Sequence, residues 1–146
     1  MKQEELDSRL LEIEGELLGV ERTAGNRIFL PCESENVYKV CQFLFEGLGL
    51  RFVISTGLDA EHCFEVLHHF ANDESGCFVT VKAFIRDREA PELESIAPLI
   101  PGAEWIEREM HDILGIEFRN HPNMRRLILD DSWPEGVYPL RKEVRK

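Results

Sequence analysis

Apolar residues recur along this chain with two periods, and the switch between them lays out the elements. Leu6, Leu10, Ile13 and Leu17 return at helical spacing, so residues 3–13 read as an amphipathic helix with charged outer faces. Residues 16–22 and 27–30, separated by Ala24-Gly25-Asn26, read as a hairpin that Pro31 ends. From Ser34, read as an N-cap, to Gly47, a second helix places Val37, Val40, Cys41, Leu44 and Leu48 on one face. Period two then takes over. Residues 51–58 alternate Phe52, Ile54, Thr56 and Leu58; residues 62–70 align Phe64, Val66, His68 and Phe70; residues 77–85 align Val79, Val81, Ala83 and Ile85. The last two runs flank a short polar turn and predict a hairpin. Residues 92–101, with Ser95, Pro98 and Pro101, read as a loop or a single helical turn. Ile106, Met110, Ile113 and Leu114 form the apolar stripe of a third helix, and Gly115 stands where a left-handed cap would close it.

That order predicts an α+β fold: a small, mostly antiparallel sheet flanked by two or three helices, with an extended C-terminal strap. The helix between the second and third strands permits one right-handed parallel crossover. The division is a body, residues 1–116, ending in the Glu-Arg-Glu helix, and a partner-binding tail, residues 117–146. The tail carries Leu127, Ile128, Leu129, Trp133 and Leu140 among prolines that stiffen it. Apolar groups left in water contribute nothing, so the tail reads as a strap laid on its own domain or on a partner.

Charge sharpens this picture. The 146 residues carry a net charge of −11, which argues against nucleic acid as a partner. Residues 1–116 hold 10 Lys and Arg against 23 Asp and Glu, whereas residues 117–146 hold 7 against 5. An acidic body thus ends in a slightly basic tail, able to fold back or to meet an acidic partner. No run of 18 apolar residues is present, and the N-terminus lacks a signal core, so a cytoplasmic protein is expected. Cys32, Cys41, Cys63 and Cys77 form no Cys-x-x-Cys pair, which leaves zinc and iron–sulfur ligation unsupported and buried free thiols expected.

The densest cluster of potential ligands is Glu107, Glu109, Asp112 and His121, with His111 beside them. Glu109 and Asp112 are spaced i, i+3 and Glu107 and His111 i, i+4, but the two pairs point to different sides. A stand-alone metal-dependent enzyme is therefore the weaker rival. The simpler expectation is a charged helix surface, with Glu104–Arg108 and Arg108–Asp112 paired along it. His68 and His69 face opposite sides of a strand. The sequence nominates no catalytic, cofactor-binding or metal residue; an unrelated soluble binding module is a further rival. Arg125-Arg126, Arg141-Lys142, Trp133 and Leu140 are the residue types that anchor interfaces.

The run Glu107-Arg108-Glu109-x-x-Asp112-x-x-Gly115-Ile116-x-Phe118-x-x-His121-Pro122-x-x-Arg125-Arg126-Leu127-Ile128-Leu129 resembles the signature of the thirty-kilodalton subunit family of respiratory complex I. Trp133-Pro134-Glu135-Gly136 and Pro139-Leu140-Arg141-Lys142 resemble the segment that follows it. The resemblance implies a peripheral-arm subunit of an NADH-quinone oxidoreductase or a membrane-bound, energy-converting nickel–iron hydrogenase. It implies no cofactor on this chain, with iron–sulfur clusters and a nickel–iron or quinone site on partners. Those partners would be a hydrogenase-like large subunit, over which the C-terminal segment wraps, and a small iron–sulfur subunit. Association with the membrane's cytoplasmic face would come only through the complex. The residues expected to meet partners are Glu107, Arg108, Glu109, Asp112, His121, Pro122, Arg125, Arg126, Trp133, Pro134, Leu140, Arg141 and Lys142. Tyr138, where quinone reductases usually have His, Ser132 within the Asp-Trp-Pro run, and the short C-terminus resemble the hydrogenase branch more closely.

Overall fold

The computed structural model describes residues 1–142; the last four residues of the tail, 143–146, lie outside the described residues. Helix α1 (Gln3–Leu10) continues as a 3-10 turn to Glu16, and a tight turn joins β1 (Glu21–Thr23) to β2 (Arg27–Glu33). β2 runs through Pro31 rather than ending there. β1 covers β2 only from Arg27 to Phe29, and the Pro31 carbonyl accepts from the Leu18 N–H at 2.8 Å on that same side. Its nitrogen therefore faces away from the β5 ladder, where the missing N–H interrupts no pairing.

The helical stretch 34–47 is a 3-10 turn, then α2 (Val37–Gln42), then a π-turn (Phe43–Gly47). Neither start has a side-chain cap, so Ser34 is not the N-cap its type suggested. β3 (Arg51–Asp59), β4 (Phe64–Asn72) and β5 (Cys77–Ile85) form an antiparallel meander, and β5 lies parallel to β2. The five-stranded order is β1-β2-β5-β4-β3, so α2 carries the chain from β2 to the far edge. Cys63 precedes β4 and is half-buried, while Cys32, Cys41 and Cys77 are buried; all four are free thiols.

Residues 92–101 are not simply a loop. β6 (Glu92–Glu94) pairs in parallel with β7 (Glu117–Arg119), and α3 (Glu104–Leu114) makes the crossover between them. The first three residues of the tail segment are thus a strand beside the body.

Core residues from α1, α2, α3 and one sheet face form a single apolar cluster, including Leu6, Leu10, Val40, Leu44, Phe64, Val66, Val81, Met110 and Leu114. The opposite sheet face is half open: Phe78 is partly exposed, with the Arg27 guanidinium over its ring, and Arg86 lies over Phe84. β4 and β5 show the alternation their sequence predicts. β3 does not.

A bulge at Val53 sets Phe52 opposite Phe70 but Ile54 opposite His69, which reverses the sides from there on. Ser55 and Asp59 turn inward, while Ile54 and Leu58 turn out. Ser55 Oγ meets the buried His68 Nδ1 at 2.6 Å. Gly57 falls under α3, where an added Cβ would lie 2.9 Å from both Leu114 Cδ1 and Met110 Sδ. The helix seats on this strand because the strand has no side chain at that point. Gly57→Val should destabilise the protein by about 1–3 kcal/mol through overpacking, since Met110 and Leu114 are themselves buried. Urea denaturation checks this; an unchanged midpoint would mean that α3 does not bear on β3 there.

Candidate functional site

α3 begins after Pro101 with no side-chain cap and ends at Gly115, whose φ of 73° is the left-handed cap its sequence suggested. Met110 and Leu114 of the expected stripe are buried; Ile106 and Ile113 are partly so. The charged side departs from expectation. Glu107, Arg108 and Asp112 are buried, at 0%, 5% and 3% exposure, and no ion pair joins Arg108 to Glu104 or Asp112 among the described residues. Each instead binds backbone.

Arg108 Nε donates to the Arg125 carbonyl at 3.0 Å and Nη2 to the Arg126 carbonyl at 2.9 Å. One turn further, Asp112 Oδ2 accepts three consecutive N–H groups, from Leu127, Ile128 and Leu129, at 2.9, 2.8 and 3.2 Å. Burial pushes the Asp112 carboxyl up, but those three N–H groups outweigh it and hold the pKa below the usual value. The i, i+4 spacing thus brackets one extended segment, with a donor fork for its carbonyls and an acceptor for its amides.

Glu107 does the same for the segment after β6. Its Oε2 accepts from Ser95 Oγ at 2.5 Å and its Oε1 from the Ile96 N–H at 2.8 Å. Desolvation raises its pKa from 4.5 to about 7, against the pull of those two donors. His121 Nε2 lies 3.9 Å from Glu107 Oε2, too far for a hydrogen bond, and donates to the Glu104 carbonyl at 3.0 Å.

The end of the strap has its own anchors. Leu140 N–H donates to the Ile113 carbonyl, and Arg141 Nε to the Leu114 carbonyl at 2.6 Å. The Arg141 guanidinium sits over the rings of Phe64 and Tyr138, 5.1 and 4.5 Å from their centroids. An added Cβ on Gly115 would meet both Tyr138 and Arg141 within 2.6 Å, so glycine serves the close approach as well as the cap. Lys142 N–H donates to Asp59 Oδ2 at 2.8 Å. Asp59 also takes both Arg88 terminal nitrogens, at 2.6 and 2.9 Å, and that fork holds its pKa far below the ordinary range.

The other expected contacts divide. Pro122, Arg125, Trp133, Pro134 and Leu140 are exposed, and Trp133 Nε1 closes the 133–137 loop on the Val137 carbonyl. Arg126 Nη1 donates to the Asp130 carbonyl, and Lys142 Nζ approaches Glu61 at 3.6 Å. Glu109 lines a surface groove beside Trp105 and shares no hydrogen bond or ion pair with Glu107, Asp112 or His121 among the described residues. The cluster considered for a metal therefore does not converge, and no group of three or more His, Cys, Asp or Glu among the described residues could hold a metal ion. Sequence reasoning places none of Ser95, Asp59, Tyr138 and Trp105 at the site: Ser95 reads only as part of a loop or helical turn and Tyr138 only as a mark of the hydrogenase branch. Trp105 carries a signal that goes unused, as a large aromatic set off the helix's buried stripe.

Fold and site together define an α+β domain bound by its own C-terminal strap. The chain belongs to the family described as respiratory-chain NADH dehydrogenase, 30 Kd subunit, whose model matches residues 30–146. It is 32% identical over 145 residues to the C subunit of the NADH-quinone oxidoreductase of Rhizobium johnstonii, a match that takes in 95% of this chain and 70% of that protein. It is 43% identical over 68 residues to hydrogenase-4 component G of Escherichia coli, a match that takes in 47% of this chain and 12% of that one. The matched region spans between 12% and 22% of the length of the first curated relatives. A chain in the structure of the membrane-bound sulfane sulfur reductase, an archaeal respiratory membrane complex, shares the fold. That likeness has a TM-score of 0.78 at 24% identity and covers 95% of this chain and 83% of that one.

The Glu107 carboxyl gives the site a pH signature. Its pKa is raised on folding, so its favourable contribution is complete below 4.5 and is lost as pH rises through about 7. Glu107→Gln should therefore gain stability relative to the parent steadily across that window and level off above it. Urea titrations at several pH values check this; a difference independent of pH would contradict it.

Proposed function

We propose that this protein is a structural subunit of a complex-I-like redox complex, of the NADH-quinone oxidoreductase or energy-converting nickel–iron hydrogenase kind. In this reading it carries no active site of its own. It packs on a hydrogenase-like large subunit and a small iron–sulfur subunit at the cytoplasmic face of the membrane. Iron–sulfur clusters, with the nickel–iron centre or quinone site, belong to those partners. Among the described residues no helix is long and apolar enough to cross a membrane; in this reading attachment is through the complex.

One observation carries the reading. The strap's backbone is satisfied inward by Arg108 and Asp112, and its Arg141 side chain donates to the Leu114 carbonyl at the end of α3, while Ile128, Trp133, Val137 and Leu140 point outward at 53%, 36%, 47% and 59% exposure. An ordered segment that displays apolar side chains to solvent is built to be covered by another protein. Relatives of both branches are among those the chain resembles, and this reading gives the strap the same task in either.

The test is affinity purification of the tagged protein from its native host. The intact protein should bring down a hydrogenase-like large subunit and an iron–sulfur protein in fixed ratio, and a version cut after Asn120 should lose both. Hydrogen evolution or quinone reduction by the purified assembly sorts the two branches. An intact protein that emerges alone would refute the proposal.

A further inference from the structure

Beside the strap, α3 and the β3 bulge enclose a surface groove lined by Trp105, Ile106, Val53, Ile54 and Leu127, with Glu109 as its charged residue. Trp105 is 66% exposed, Ile54 48% and Val53 39%, which makes this an apolar surface open to water. Glu109 is half-buried and makes no hydrogen bond or ion pair among the described residues. Its neighbours on α3 differ: both Glu107 oxygens and the Asp112 Oδ2 are filled by the protein's own donors.

We infer that this groove receives an apolar segment of a partner protein, entering in a form other than a β-strand and bringing one lysine or arginine to Glu109. The inference rests on the reading of the protein as a subunit, because Leu127 makes the groove continuous with the strap. Any occupant that covers the apolar walls also takes the Glu109 carboxylate out of water. An unpaired buried carboxylate opposes binding more than the surrounding apolar contacts favour it, so the occupant must supply a cation. Arginine suits the place best, because its planar head can pair with Glu109 and lie on the Trp105 ring.

Two other occupants fit less well. A second copy of this protein would approach with an acidic body, residues 1–116 holding 10 basic against 23 acidic residues, and a two-fold contact would set Glu109 against Glu109. Strand addition at the β3 edge is blocked where the groove lies, because the Val53 bulge breaks the ladder a new strand would need.

The test uses the complex purified from the native host. Glu109→Gln, Glu109→Lys and Trp105→Ala are scored by the fraction of each variant incorporated beside the parent, with thermal midpoints of the isolated variants as the folding control. Incorporation should fall about tenfold or more for Glu109→Lys and Trp105→Ala, and by less for Glu109→Gln, with midpoints unchanged. A photoreactive benzoylphenylalanine at position 105 should cross-link to an apolar segment of another subunit that carries a Lys or Arg. Reversing that cation to Glu should restore entry of Glu109→Lys. Variants that enter as the parent does overturn the inference. So does a cross-link to this protein's own C-terminus, to a second copy, or to a segment without a cation. Normal entry of the variants sinks this inference alone; an intact protein that enters no complex sinks the subunit reading with it.

Discussion

An extended segment laid on a folded body must find partners for the backbone groups it presses against that body, and here one helix supplies them. Residues 125–129 form no strand or helix, so no ladder satisfies their carbonyls and amides. Arg108 takes two of the carbonyls and Asp112 takes three of the amides, from positions one helical turn apart. Both side chains are buried by the strap they hold, so neither can leave its partners without exposing an unpaired charge to a poorly solvated site. The register of the strap is thereby fixed to the register of α3, which Gly57 seats on the sheet.

Four polar residues of the C-terminal run face inward, with Glu107 on the β6 segment, Arg108 and Asp112 on the strap, and Arg141 on the end of α3. Asp59 gathers Arg88 and the Lys142 amide, so the far end of the strap is tied to β3 as well. What remains outward is mixed: the apolar Trp133, Ile128 and Leu140 stand among exposed charges such as Arg125 and Asp131, with Trp105 beside the groove. Specificity of the strap's course lies in buried hydrogen bonds.

Much of this was legible in the residues themselves. The β4–β5 hairpin followed from clean alternation across a polar turn, and the end of α3 from a glycine after the last apolar residue. The α+β class and the strap followed from the order of periods and the proline-rich tail. Other features were not legible for physical reasons. A single inserted residue at Val53 reverses which side chains of β3 face the core, and no composition rule marks it. β6 and β7 are three residues each, too short to show a period, and they pair across an intervening helix. Opposite charges at i, i+4 read as an ion pair along an exposed helix surface. Only burial by the strap distinguishes Arg108 and Asp112 as two separate anchors.

The claim that the strap is held by α3 before any partner arrives is tested most directly by amide hydrogen exchange on the isolated protein. The amides of Leu127, Ile128 and Leu129 should exchange about a hundredfold or more slowly relative to unstructured peptide, and Asp112→Ala should abolish that protection while β4 and β5 keep theirs. Free exchange of those three amides in the parent protein would contradict the account.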